Sequence, residues 1–461
     1  MGLFKGLAMV IETNKLLIED IAIKIKHDYE FFGNDYVKQY LEYTESDEFI
    51  KKINLNKYIC LNNDIFFVWI GTLDILNFEY LKVWEHCSSN ITIWVDSRTK
   101  LYGLHRYILE EISKVRNKSL IEVQNDFYLF CEEHDKLSFD EALEVYALSF
   151  RKSFSKILEV QKSKFNSTFS YLSLRYKIKD VSKDLELEHF NNYYKLEIIL
   201  RGNLCAASDI IRLKILYTFG GIYVDVDTLP YLSQNESKKI LDIKKEVNGN
   251  LVDIILSNLI IQKHFNIHII SNNLSDKASL IEKYFDSVDK GINKEILRFV
   301  NEWSMDKLSF QKIYCHQNGI KISNNANNIQ EFNNNIISSV PHSKLLRIIL
   351  KELDRRYKYI IKRGYTQVHP KIVSRKIEYY ERLRNYRMDG IEDEYVTLIL
   401  SGPTLILETV LGCAYKVFDV DVGAYELSLA LRNSVFGIGI SKQVMFTIEH
   451  INSNWMLKTT I

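Results

Sequence analysis

Apolar residues along this chain fall into two kinds of pattern. The first is short and nearly unbroken: Ile65-Phe66-Phe67-Val68-Trp69-Ile70, closed by Gly71, and Ile91-Thr92-Ile93-Trp94-Val95, closed by Asp96. Such runs, bounded by loop formers, predict strands covered on both faces. A helix is expected over Asn77–His86, another over 100–117, and a third strand over Leu120–Val123. Strands and helices alternating in this way predict a doubly wound α/β core. Ligands of such cores bind beyond the carboxyl ends of the strands, where Trp69 and Asp96 fall.

The second pattern has helical spacing. Leu17, Ile18, Ile21, Ala22 and Ile25 recur at three- and four-residue steps, predicting an N-terminal helical region over 1–62. Its stripe suits either a cap on the core or contact with a membrane surface. Residues 133–200 and 262–390 are polar and helix-prone and read as helical insertions, with Asn-rich loops near 317–335. Between them the core pattern returns: a helix over Ala206–Thr218, Gly220-Gly221, a short strand at Ile222–Val224 and a buried apolar stretch over Leu251–Ile261. A strand at Val396–Leu400, a Ser-Gly-Pro turn and a helix to Cys413 follow. Residues 63–461 are thus expected to form one catalytic domain carrying both insertions.

Composition narrows the picture. Hydrophobic residues make up 46% of the 461, with 18 glycines and only 4 prolines, which favours a large core with long helices. The net charge of +1 excludes a nucleic-acid footprint, which needs a concentrated basic excess. The six cysteines lack metal-ligand spacings and read as free thiols, suited to a reducing compartment. No secretory leader is recognisable, and Gly6 stands where N-myristoylation wants Ser or Thr.

The chemistry concentrates between 203 and 227. Asp209 and Arg212, three apart, share a helix face. Gly220-Gly221 permit a tight exit from that helix. Tyr223, Asp225 and Asp227 alternate, so an extended segment would present all three on one face. Two neighbouring carboxylates repel unless a proton or cation joins them. A hard divalent ion suits them, because it takes oxygen ligands and bridges to phosphates. An internal ion pair with Arg212 is the competing structural reading.

This segment resembles the glucosyltransferase domain of the large clostridial cytotoxins and related bacterial toxin and effector glycosyltransferases. The likeness rests on Ala206-Ala207-Ser208-Asp209-Ile210-Ile211-Arg212 and on Gly220-Gly221-Ile222-Tyr223-Val224-Asp225-Val226-Asp227-Thr228-Leu229-Pro230. It continues in Phe67-Val68-Trp69-Ile70-Gly71 and Leu400-Ser401-Gly402-Pro403. The resemblance implies a GT-A type, Rossmann-like mixed sheet. It also implies roles: Trp69 stacking on uracil, Asp209 and Arg212 on sugar hydroxyls and phosphate, and Tyr223 lining the nucleotide site. Asp225 would meet ribose and, through water, the metal; Asp227 would ligate the metal directly.

Further roles follow from the same resemblance. Ser453-Asn454-Trp455 is similar to a closing loop that bears metal ligands and a tryptophan aimed at the diphosphate. The metal ligands there would be Ser453 with Glu449 or Asn452. Ile255–Leu259 is similar to the family's sugar-pocket strand, with Asn258 the shared polar contact. Ser257, being small, leans towards N-acetylglucosamine over glucose.

The function so implied is retaining transfer from UDP-glucose or UDP-N-acetylglucosamine, with Mn²⁺ or Mg²⁺, to a threonine of a host small GTPase of Rho or Ras type. The enzyme would be a monomer, secreted or delivered by a bacterium, acting in the host cytosol at the inner face of a membrane. Two alternatives stand beside this: a DxD transferase acting on a glycan or another host protein, and a membrane-associated binding module with a vestigial nucleotide site.

Overall fold

The strands are β1 (Tyr58–Cys60), β2 (Asp64–Trp69), β3 (Asn90–Val95), β4 (Lys177–Asp180), β5 (Gly221–Val224), β6 (Leu229–Pro230), β7 (Tyr314–His316), β8 (Ile320–Asn324), β9 (Phe332–Ser339), β10 (Ile440–Ser441) and β11 (Val444–Met445). The central β2, β3 and β5 form where apolar residues are buried on both sides. The structure is a computed structural model. It describes residues 58–61, 64–88, 90–230, 232, 238–246, 249–267, 290–305, 308, 313–316, 319–324, 332–367, 379–387, 395–418, 440–441 and 444–445. The expected N-terminal helical region falls almost wholly outside these residues.

Seven strands make one mixed sheet in the order β10-β8-β9-β5-β2-β3-β4. β2 runs parallel to β3 and β5, and β3 parallel to β4. β9 runs antiparallel to β5 and β8. Along β2 alternate side chains enter opposite cores. Ile65 and Phe67 join Ile93, Val95, Ile222 and Val224 on one face. Phe66 and Val68 join Trp94 and Tyr223 on the other. Both faces are covered, so the strand has no polar alternation. Each such side chain, fully buried, contributes about 1.5–3 kcal/mol.

The helices are α1 (Leu81–Trp84), α2 (Tyr102–Arg116), α3 (Leu120–Glu133), α4 (Phe139–Phe150), α5 (Phe154–Ser173), α6 (Val181–Asp184), α7 (Phe190–Lys195), α8 (Leu204–Phe219), α9 (Lys238–Glu246), α10 (Gly249–Phe265), α11 (Lys290–Glu302), α12 (Lys344–Arg363), α13 (Tyr395–Leu400) and α14 (Pro403–Phe418). A π-helical turn, Leu196–Arg201, joins α7 to the segment before α8. None of the described helices is long and apolar enough to cross a membrane.

The mixed α/β core agrees with expectation, and several elements do not. Leu120–Val123 begins helix α3 instead of forming a strand. A capping box decides it: the Ser119 side chain accepts from Glu122 N, and Ser119 N donates to the Glu122 carboxylate at 2.8 Å. The helix expected over Asn77–His86 is a 3-10 turn, Ile75–Phe78, followed by the single turn of α1. The buried apolar stretch Leu251–Ile261 lies in helix α10, so the run Ile255–Leu259 within it, expected as a strand, is helical. The element spans 17 residues, too long for an ordinary strand, and its middle, Ile255–Ile261, is buried on nearly every side and so mostly apolar. Val396–Leu400 is likewise helical, as α13.

The two stretches read as helical insertions each supply the sheet. β4 lies within 133–200, and β8 and β9 lie within 262–390. β4 was hidden by its charge, Lys177-Ile178-Lys179-Asp180. It is an edge strand, where lysines are expected because they oppose pairing with another chain.

Candidate active site

Helix α8 opens on Asn203, whose side-chain oxygen accepts from Ala206 N at 3.0 Å. It closes on Gly220, at φ +67° and ψ −159°. That conformation turns the chain straight from α8 into β5. β5 stops at Val224, and Asp225-Val226-Asp227 form a turn beyond its carboxyl end. The alternation predicted for Tyr223, Asp225 and Asp227 in an extended segment is therefore replaced by a reversal. Tyr223 is buried within the strand, whereas Asp225 and Asp227 are half-buried outside it. The acids escape the cost of burial in a strand by leaving it.

Two asparagines of β9 brace this turn. Asp225 N donates to Asn335 O at 2.8 Å, and Thr228 N donates to Asp225 O at 3.0 Å. Asn335 Nδ2 donates to Thr228 Oγ1 at 3.1 Å, and Trp84 Nε1 donates to Thr228 O at 2.7 Å. Asn334 reaches the helix side: its Nδ2 donates to Asp209 Oδ1 at 3.0 Å, and its carbonyl accepts from Arg212 Nη1 at 3.0 Å. Reading the sequence missed both residues. The only signal was the Asn-Asn-Asn run set directly before Ile336-Ile337.

Arg212 is the hub. Its Nη2 lies 3.2 Å from Asp209 Oδ1 and its Nη1 lies 3.1 Å from Asp225 Oδ1. The guanidinium carbon stands 4.4 Å from the Tyr223 ring centre, in cation–π range. The Tyr223 hydroxyl also donates to Asp225 Oδ1. Burial works against the guanidinium charge, but Asp225, Tyr223 and Asp209 outweigh it and hold Arg212 above its ordinary pKa. Burial raises the Asp209 carboxyl to about 7, against the opposing pull of Arg212 and the Ser401 hydroxyl. Burial also pushes Tyr223 and Cys205 well up, so both remain neutral.

The competing ion-pair reading is thus realised for Asp225, which Arg212 engages. Asp227 lies on the turn with Asp225, half-buried at the strand end. Trp69, at the carboxyl end of the neighbouring β2, is half-buried, its indole N–H donating to Thr72 O at 2.8 Å. Its ring centre is 5.4 Å from that of Phe78. Asp96 ends β3 as expected, but its carboxylate is already engaged. It accepts from Arg98 N and Nε, both at 2.9 Å, from Arg98 Nη2 at 2.7 Å, and from the Tyr194 hydroxyl at 2.7 Å. Ser257 and Asn258 are buried in α10, where successive residues point about 100° apart. Glu449, Asn452, Ser453 and Trp455 lie outside the described residues.

A hard divalent ion requires oxygen ligands, and the Asp225–Asp227 turn offers two carboxylates at the edge where parallel α/β sheets bind ligands. Among the described residues no group of three or more His, Cys, Asp or Glu side chains could hold an ion. Of the two carboxylates Asp225 is already paired with Arg212, so an ion held at this turn would take most of its shell from a ligand or water.

The mixed sheet and its helices have the GT-A type fold found in toxin glycosyltransferase domains. The family model described as the TcdA/TcdB catalytic glycosyltransferase domain matches residues 171–378. The chain resembles Toxin A of Clostridium novyi, 22% identical over 91% of this chain, and Toxin B of Clostridioides difficile, 23% identical over 92%. It spans 21% and 19% of the length of those relatives. The catalytic domain of alpha-toxin from Clostridium novyi shares the fold, with a TM-score of 0.67 at 18% identity, over 98% of this chain and 90% of that one. The UDP-bound glycosyltransferase domain of the YGT toxin does so with a TM-score of 0.56 at 17% identity, over 85% and 82%.

Proposed function

We propose that this domain transfers glucose or N-acetylglucosamine from its UDP-sugar to a threonine hydroxyl of a host small GTPase of Rho or Ras type, with the α configuration retained. The observation that carries the reading is the Asp225-Val226-Asp227 turn, set at the carboxyl edge of the sheet beside a buried, doubly paired arginine. The likeness to a toxin domain solved with UDP supports the nucleotide. The likeness to secreted bacterial toxins supports action inside a host cell.

Mn²⁺ or Mg²⁺, when bound by Asp227 and the Asp225 side of the turn, supplies Lewis-acid neutralisation of the departing diphosphate. The chain's own residues do the rest. Arg212 is fixed by Asp209, Asp225 and Asn334, so its positive charge is already oriented before any substrate arrives. Its buried Nε has no protein partner among the described residues, which leaves that N–H unspent. Trp69 has its indole N–H satisfied locally, so its ring face is what remains to receive a base. Ser453 and Trp455, with Glu449 or Asn452, complete the assignment as the closing segment over the diphosphate.

The test is intact-mass analysis of Rho- and Ras-type GTPases and of soluble oligosaccharides, each incubated with the protein, Mn²⁺ and either UDP-sugar. One added hexose or N-acetylhexosamine on a GTPase is the expected result. Modified oligosaccharide with unmodified GTPase would replace the acceptor. No transfer and no UDP-sugar hydrolysis with any divalent ion would overturn the enzymatic reading. Trp69→Ala is expected to weaken UDP binding by about 1–3 kcal/mol, the usual worth of a base stacked on an aromatic ring. Calorimetry showing parent affinity would remove Trp69 from the nucleotide site.

A further inference from the structure

The start of α8 is gripped by a helix almost two hundred residues away. α13 and the turn after it bring Thr397 and Ser401, four residues apart, against α8, both buried. Thr397 Oγ1 accepts from Asn203 Nδ2 at 2.7 Å and from Arg201 Nη2 at 2.9 Å. Asn203 is the residue that caps α8. Ser401 Oγ donates to Asp209 Oδ2 at 2.8 Å. The two hydroxyls therefore hold the first turns of the helix at its cap and at Asp209, whose other oxygen meets Arg212 and Asn334.

Behind this contact lies a buried ionic anchor. Arg201 Nη1 donates to Glu197 Oε2 at 2.8 Å, with side-chain exposures of only 2% and 0%. Glu197 Oε1 accepts from the hydroxyls of Tyr357, at 2.7 Å, and Tyr386, at 2.9 Å. A packed helix–helix contact needs no buried charge, and apolar residues of similar volume are often as stable or more so. What a fully hydrogen-bonded polar network supplies is a fixed geometry.

We propose that Thr397 and Ser401 are positioning residues for the catalytic site: through Asn203 and Asp209 they fix Arg212, and through Arg212 they fix Asp225 at the donor-diphosphate end. The chain of contacts runs from Ser401 to Asp209, from Asp209 to Arg212, and from Arg212 to Asp225. This rests on the donor-site reading given above, and it assigns roles to one residue of α13 and one of the turn after it.

The test compares Thr397→Val, which keeps shape and removes the hydroxyl, with Thr397→Ser, which keeps the hydroxyl, and with Ser401→Ala. Metal-dependent UDP-sugar hydrolysis is followed beside calorimetric binding of UDP. Thr397→Val and Ser401→Ala should each lose kcat by roughly tenfold or more, the worth of one hydrogen bond to a charged group, with UDP affinity within about twofold. Thr397→Ser should restore kcat. In Ser401→Ala the acid limb of the pH–rate profile should also move to higher pH, because the hydroxyl favours the Asp209 carboxylate. The other groups acting on Asp209 are Arg212, Asp225 and Glu197.

If the wild-type protein binds UDP and the variants turn over at the parent rate, the positioning role is wrong and the donor reading stands. If the wild-type protein does not bind UDP, the donor reading fails. The grip on α8 is then judged by amide exchange over 206–209, which should quicken in Thr397→Val. Parent-rate exchange there overturns it. Should Ser401→Ala fail to fold, the Thr397 pair alone decides.

Discussion

Asp227→Asn is expected to reduce divalent-metal-dependent UDP-sugar turnover by roughly 10²–10³-fold, the scale on which a single preorganised electrostatic contact acts. The substitution keeps the size of the side chain and one oxygen but removes the charge that makes a carboxylate a good ligand for a hard cation. Asp227 sits on a half-exposed turn outside β5, so the thermal midpoint should move little, as for most substitutions away from the core. Raising Mn²⁺ should restore part of the activity if the lost step is metal affinity. Turnover at the parent rate, at low and high metal alike, would remove Asp227 from the ion site. Asp225→Asn should behave differently, because it also deprives Arg212 of a partner at 3.1 Å and leaves a buried guanidinium short of countercharge.

The second large effect is on stability. Gly220→Ala should lower the unfolding free energy by about 3 kcal/mol or more. Gly220 lies at φ +67° and ψ −159°, a region essentially closed to residues with a Cβ. That Cβ would also lie 2.5 Å from Pro341 Cδ, 2.7 Å from Pro341 N and 2.9 Å from Ser339 O. Two of these atoms are backbone and cannot swing aside. Gly364 is the internal control. It ends α12 at φ +70°, but its added Cβ would meet nothing closer than 3.6 Å, on the Gln367 side chain. Gly364→Ala should cost about 1 kcal/mol, the left-handed conformation alone. Urea unfolding followed by tryptophan fluorescence measures both, and equal midpoint shifts would refute the steric account.

How legible each part was in the sequence depends on the physics behind it. β2 and β3 could be read because strands buried on two faces are apolar throughout. α8 could be read from its apolar periodicity and the Gly-Gly exit. The same reasoning misplaced Leu120–Val123 because it weighed four apolar residues and overlooked Ser119 and Glu122, whose reciprocal bonds start a helix. Leu251–Ile261 was legible as a buried apolar stretch, but Ile255–Leu259 within it is helical and not a strand, because a stretch buried on every side has no polar face to betray its period. Strand β4 was invisible for the opposite reason, as an edge whose side chains are mostly charged.

At the site, Asp209, Tyr223 and Asp225 gather about Arg212, while Asp227 lies on the turn with Asp225 instead of on a shared strand face. Of the supporting shell, Asn334 and Asn335 showed only as an Asn-Asn-Asn run and Ser401 only as a turn residue, and Thr397 carried no local signal. The shell's meaning arises only from long-range pairing, which a single sequence does not display.

The bracing of the DVD turn by β9 bears on how the domain is assembled. Asp225 and its partner Asn335 stand more than a hundred residues apart, and Ser401 reaches back to Asp209 across a longer interval still. A chain emerging from a ribosome, or threading unfolded through a narrow passage, presents the acids well before the asparagines that hold them. Contacts this distant in sequence are slow to close. The geometry of the Asp225-Val226-Asp227 turn is therefore expected to be among the last features to form.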